Sequence, residues 1–146
     1  MADDRPALTN DIPKEIDFLL FRAAGASMAV EAAQVEGIIS REQAEQRAIK
    51  VGLLGRLLGA DGAIVDAPSK VLLFRDGNET YGIGINALDT MVREKIGTLQ
   101  PLPELLSHVE GLQPFWGVLP RENEVVLLID LFRLKSLIGN QAEQFA

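Results

Sequence analysis

No cysteine occurs in the 146 residues, and only one histidine does. The first absence removes disulfides, thiolate metal sites and cysteine nucleophiles together. The second leaves His108 alone, with no other histidine and no acidic pair at ligand spacing, so it reads as a solvent-exposed loop residue. Clustered Lys and Arg are also scarce, and 14 basic against 21 acidic residues give a net charge of −7. Phosphate binding needs such clusters, so neither a nucleic-acid surface nor direct membrane binding is expected. No stretch reaches ~18 consecutive apolar residues, and the opening MADDRPALTN lacks a signal peptide's apolar core. The expectation is a cytoplasmic protein with no cofactor, no metal and no catalytic residue. With 47% hydrophobic and 24% charged residues, the chain suits one globular domain, or two small subdomains sharing an interface.

What is present is a repeat. Residues 18–39, FLLFRAAGASMAVEAAQVEGII, align without a gap on residues 71–92, VLLFRDGNETYGIGINALDTMV, 53 positions further on. Leu19-Leu20-Phe21-Arg22 recurs as Leu72-Leu73-Phe74-Arg75, and Ile38-Ile39 fall opposite Met91-Val92. A second echo, at a spacing of 80, sets AIKVGLLGRLLG (48–59) against LIDLFRLKSLIG (128–139). The order is strand unit, helix unit, strand unit, helix unit. Two such units argue for a pseudo-twofold domain, since a solenoid needs three or more stacked repeats.

Residues 1–15 carry two prolines and three aspartates and read as a mobile lead-in. A hairpin turning at Gly25 is expected from Ile16–Phe21 and Ser27–Ala32, then a short helix or strand bend over 31–40. Arg41–Arg47 favours a solvated helix, and Gly59 suits the end of the apolar run after it. Residues 60–69 form the linker. In the second half, Asp76-Gly77-Asn78 signals a hairpin after Val71–Phe74. Gly82 and Gly84 alternate with Tyr81, Ile83 and Ile85, the pattern of a strand lying closely against another backbone. That glycine pair has the look of a nucleotide loop, but it sits within a strand and lacks the third glycine and following helix. A helical turn is expected over Glu104–Val109, with a half-buried or anchoring aromatic pair at Phe115-Trp116. Val125–Ile129 reads as a strand buried on both faces, and Asp130 as the cap of a helix Leu131–Ile138 ended by Gly139. The tail 140–146 is polar. The fold class is therefore mainly β, two pseudo-symmetric small β-barrel subdomains with short helices.

These residues carry a resemblance. The order of strand, hairpin and the Val35-Glu36-Gly37-Ile38 segment, then VLLFRDGNETYGIGINALDTMV, then a hairpin into VVLLIDLFRL, resembles a CheW-like domain from about Ile16 to Gly139. The resemblance implies two barrels around a hydrophobic core and no enzymatic activity. It implies an adaptor in a chemotaxis-type pathway, linking the cytoplasmic tip of chemoreceptors to the regulatory domain of a CheA-type histidine kinase. The first subdomain would span about 16–59 and the second about 70–139. Val35, Ile38, Ile39, Leu88, Met91 and Val92 resemble the family's groove between subdomains and are the candidate partner-binding set. The alternative is that each is simply core.

One departure from the family stands out. The first unit, 18–59, is 27 residues shorter than the second, 71–139, and the shortfall lies between Ser40 and Ala48. The family's Asn-Leu-Arg-Gly loop belongs in that region, and nothing here matches it. The first barrel is then incomplete, or completed by residues 41–47, or completed by another chain through strand addition, which would give a homodimer. A CheW-like protein that has lost receptor coupling and serves a motility or pili system is the second reading. A small enzyme or ligand-binding barrel is the third, and the sequence shows none of the polar convergence it needs.

Overall fold

Two tight turns organise the strands. At the first, Ala24 and Gly25 both adopt positive φ (54° and 79°), the backbone that matches the twist of a two-residue hairpin. At the second, Gly77 does so at 65°. The computed structural model describes residues 14–54, 68–102 and 113–141. The first turn joins β1 (Glu15–Ala23) to β2 (Ala26–Glu31), and the second joins β5 (Lys70–Asp76) to β6 (Glu79–Ile85). After β2 come a 3-10 turn (Ala32–Gln34), β3 (Gly37–Ser40), α1 (Arg41–Gln46) and β4 (Lys50–Leu53). After β6 come β7 (Ala87–Lys95), a 3-10 turn (Ile96–Thr98), β8 (Gln100–Pro101), β9 (Phe115–Arg121), β10 (Glu124–Ile129) and α2 (Leu131–Gln141).

The halves exchange strands. One sheet runs β7-β1-β2-β10-β9-β8 and the other β3-β5-β6-β4. Each therefore takes strands from both sequence units, so the repeat at 16–59 and 70–139 describes the sequence and not the sheets. The exchange is symmetric to the residue. Ile38 pairs with Leu72, and their equivalents Met91 and Leu19 pair with each other. Ile39–Val71 and Val92–Phe18 match in the same way. Inserted parallel strands complete the correspondence, β4 beside β6 and β10 beside β2. The first four strands of the larger sheet thus repeat the whole of the smaller one.

Among the described residues three cores follow, and they explain the repeated Leu-Leu-Phe. Phe18 and Leu20 enter one barrel core, whereas Leu19 and Phe21 enter a central core between the sheets. Val71 and Leu73 likewise fill the other barrel, while Leu72 and Phe74 face the central core. Four consecutive apolar residues are what a strand buried on both faces requires. At ~1.5–3 kcal/mol per fully buried large apolar side chain, these runs contribute a large share of the driving force for folding.

Several sequence expectations change. The echo at 80 is out of register with the fold: Val51 pairs with Gly82 as Leu128 pairs with Ala29, a spacing of 77 from Val51 to Leu128. The true shortfall is the difference between 77 and 53, or 24 residues. The apolar run after Ala48 begins as a strand, because β4 must lie in the sheet beside β6 before any helix starts. Val125 is exposed, since it lies next to the β9–β10 turn beyond the end of the barrel core. Gly82 lies close to the neighbouring backbone, with Leu72 O 3.5 Å from where its Cβ would be, but the tightest neighbours of both glycines are side chains. A Cβ on Gly82 would fall 2.5 Å from Val71 Cγ1, and one on Gly84 2.7 Å from Pro68 Cγ. Gly139 does not end α2, which continues to Gln141. The expectations for Gly59, residues 60–67, Glu104–Val109 with His108, and both termini lie outside the described residues.

Candidate docking surface

The shortened barrel is closed by α1. Its start is a capping box: Ser40 Oγ accepts from Gln43 N (3.1 Å), and Gln43 Oε1 accepts from Ser40 N (3.0 Å). Its end is a Schellman turn with Ala48 in the left-handed position (φ 53°), where Ala48 N donates to Glu45 O and Ile49 N to Ala44 O. These two ends hold the helix across the gap between β3 and β4, and Ala44, 1% exposed, packs with Ile49, Val51, Val71 and Leu73. In the larger barrel the equivalent volume is filled by Leu119, Leu99 and Trp116, all from the segment that the first half lacks. Of the two completions expected from sequence, it is the 41–47 segment that fills the barrel, within one chain. The barrel interior thus supplies no reason for strand addition by a second copy.

The six candidate residues divide by register. Directly paired residues of antiparallel strands share a face. Ile39 and Val92, paired with Val71 and Phe18, point into the two barrels and pack there. Val35 and Ile38 are half-buried against the central core. Leu88 pairs with Phe21 and Met91 with Leu19, across a bulge in the ladder, so both extend the central face outward. They remain open, Leu88 at 40% and Met91 at 57% exposure. A role that needs accessible apolar surface therefore falls to Leu88 and Met91.

Ion pairs frame this strand. Arg93 Nε lies 2.7 Å from Asp17 Oδ1 and Arg93 Nη2 3.3 Å from Asp17 Oδ2, a two-point contact between β7 and β1. The hydrogen bonds from Arg93 hold the Asp17 carboxyl below the usual carboxylate range, and the same contact raises Arg93. Arg121 reaches Glu94 at 3.4 Å and ties β9 to β7. On the related strand, Glu36 beside Val35 pairs with Arg75 at 3.0 Å.

A contact that sequence reasoning missed locks α2 to the first half. Asp130 caps the helix as expected, accepting from Phe132 N at 2.9 Å. Gln34 completes the cap from 96 positions away, donating to Asp130 Oδ1 (3.2 Å) and accepting from Leu131 N (3.0 Å). From there α2 sends Leu131, Leu134 and Ile138 into the central core. Phe132 stands edge-on to Phe74 at 6.5 Å, and Lys135 pairs with Asp76, which raises the Lys135 pKa.

Among the described residues no polar or charged side chain is buried, and no three His, Cys, Asp or Glu converge to hold a metal. An open cleft of about 890 Å³ lies at the end of β1 and β7 between Lys14, Asp17, Arg93 and Lys95, with charges of both signs. Phe115 is buried, and Trp116 is half-buried against Phe18. No helix among the described residues is long and apolar enough to cross a membrane.

Two sheets sharing a central core, with strands exchanged between repeats, give this chain the CheW-like fold. Among solved structures it is similar to the scaffolding protein TtCheW from Thermoanaerobacter tengcongensis, with a TM-score of 0.66 and 13% identity. The superposition covers 82% of this chain and 87% of that one. No family model matches the sequence, and no curated protein does.

Proposed function

We propose that the chain is a non-enzymatic adaptor of a chemotaxis-type pathway, joining chemoreceptor tips to a CheA-type histidine kinase by docking. The observation that carries this reading is the open apolar face of Leu88 and Met91, which lie opposite the core residues Phe21 and Leu19. Large side chains left exposed beside buried Leu19 and Phe21 are suited to a partner that extends the core. The chain supplies a precedent for that partner: α2 seats apolar residues at i, i+3 and i+7 on the same central core. A receptor helix with that spacing would do likewise over β7. The fold shared with a scaffolding protein supports the reading in general terms.

The absence of the family's loop favours a second reading, a homodimeric or regulatory component of a motility or pili system that has shed receptor coupling. Binding measured against an isolated receptor tip and a kinase regulatory domain separates the two. Adaptor function predicts that both bind, and that Leu88→Glu weakens tip binding at least about tenfold while costing only about 1–2 kcal/mol of stability. No binding to either, with a stable dimer in light scattering, would replace the first reading by the second. Global unfolding of Leu88→Glu would show that the residue is core.

A further inference from the structure

With no cysteine in the chain, its only sulfur atoms are those of Met1, Met28 and Met91. The two described ones differ sharply in access. Met28 is 1% exposed in the central core, and Met91 is 57% exposed on β7. Thioether oxidation follows exposure and converts a flexible apolar side chain into a polar one. Met91 is paired with the core residue Leu19 and lies on the same face as Leu88. Its counterpart in the other repeat is Ile38, which has no oxidisable atom.

We propose that Met91 makes the docking surface sensitive to peroxide. This rests on the docking role of β7 given above and adds its regulation. The Met91 Sδ lone pair attacks one peroxide oxygen as the O–O bond breaks. The sulfur is oxidised by two electrons to the sulfoxide, and the other oxygen leaves as water. The new S=O group lies where a partner's apolar side chain must pack, and burying it there without a donor weakens association.

The test treats the full-length chain with hydrogen peroxide. It follows oxidation of each methionine by peptide mass spectrometry and binding to an isolated receptor tip by calorimetry. Met91 should oxidise at least about tenfold faster than Met28, with unchanged circular dichroism. Oxidised wild type should then bind about tenfold or more weakly than its untreated sample. Met91→Leu, compared only with its own untreated sample, should show no change on treatment. Equal binding before and after complete Met91 oxidation overturns the inference and leaves the docking reading standing. Equal oxidation of Met28 and Met91 overturns it as well. Failure of untreated wild type to bind refutes the docking reading itself, and the inference falls with it.

Discussion

Replacing Ala44 with aspartate tests whether α1 does the work of the missing strands. The methyl group of Ala44 is enclosed by Ile49, Val51, Val71 and Leu73, all apolar. The substitution adds a carboxyl group to a filled space with no donor among those side chains. An unpartnered buried polar group costs about 1–3 kcal/mol, and overpacking costs about 1–3 more. Lower helix propensity adds roughly 0.5 kcal/mol. The sum is about 2.5–6.5 kcal/mol, against roughly 0.5 for Gln46→Asp, whose side chain is exposed on the same helix. Urea unfolding followed by Trp116 fluorescence and far-UV circular dichroism measures both variants. Trp116 packs in the other barrel, so coincident transitions also report whether the barrels unfold together. Burial favours the neutral acid, so the introduced carboxyl has its folded pKa raised above its unfolded one. Its penalty must then shrink as the pH falls through that raised value. An Ala44→Asp cost no greater than that of Gln46→Asp, or a cost independent of pH, would refute the plug.

Ala48→Gly should stabilise the protein by about 0.5–1 kcal/mol, raising the urea midpoint at unchanged slope, because Ala48 occupies a left-handed position that glycine tolerates better; a lower midpoint would contradict the assignment of the helix end. Gln34→Ala and Asp130→Ala should each cost about 1 kcal/mol, and the double variant less than their sum, since both groups serve one helix start. Additive costs in that cycle would show that the two act separately. The folded pKa of Asp17 is depressed, so its contribution is fully present above the unfolded value near 3.8 and is lost as the pH falls through the folded one. Asp17→Asn should therefore flatten the stability profile in that acidic window and leave its slope above pH 5 unchanged, which chemical denaturation across pH would show.

The strand units were legible because both faces of β1 and β5 are buried, which writes an uninterrupted Leu-Leu-Phe into each copy. The hairpin turns were legible through Gly25 and Gly77, local signals that need no knowledge of the rest of the chain. The exchange of β3 and β7 between sheets was not, because a repeat aligned to itself does not reveal which copy each strand pairs with. Nor was the register of the last strands. Leucine-rich runs align at more than one offset, and only pairing with β6 and β2 chooses 77 over 80. For the docking set, the sequence found the two related strands but not the faces. Ile39 and Val92 differ from Ile38 and Met91 by a single residue, and that step turns a side chain from the central face into a barrel. Gln34 gave no sign, since its partners lie 96 and 97 positions away.

Strand exchange also bears on how one half can be 24 residues shorter than the other without touching the candidate docking face. In a protein whose subdomains followed the sequence, shortening the first unit would alter the barrel built from that unit alone. Here the shortened connection joins β3 to β4, both in the four-stranded sheet, whereas Leu88 and Met91 lie on β7 in the six-stranded sheet. The face they extend rests on β1 and the central core, neither of which contacts Ala44 in the smaller barrel's cluster. The two features can therefore vary independently. Where the larger barrel has two further strands, a short capped helix and one small buried residue close the smaller one. The surface on β7 kept the support of β1, which is buried on both faces and held by the larger barrel, whose β9 and β8 are the strands with no counterpart in the smaller one.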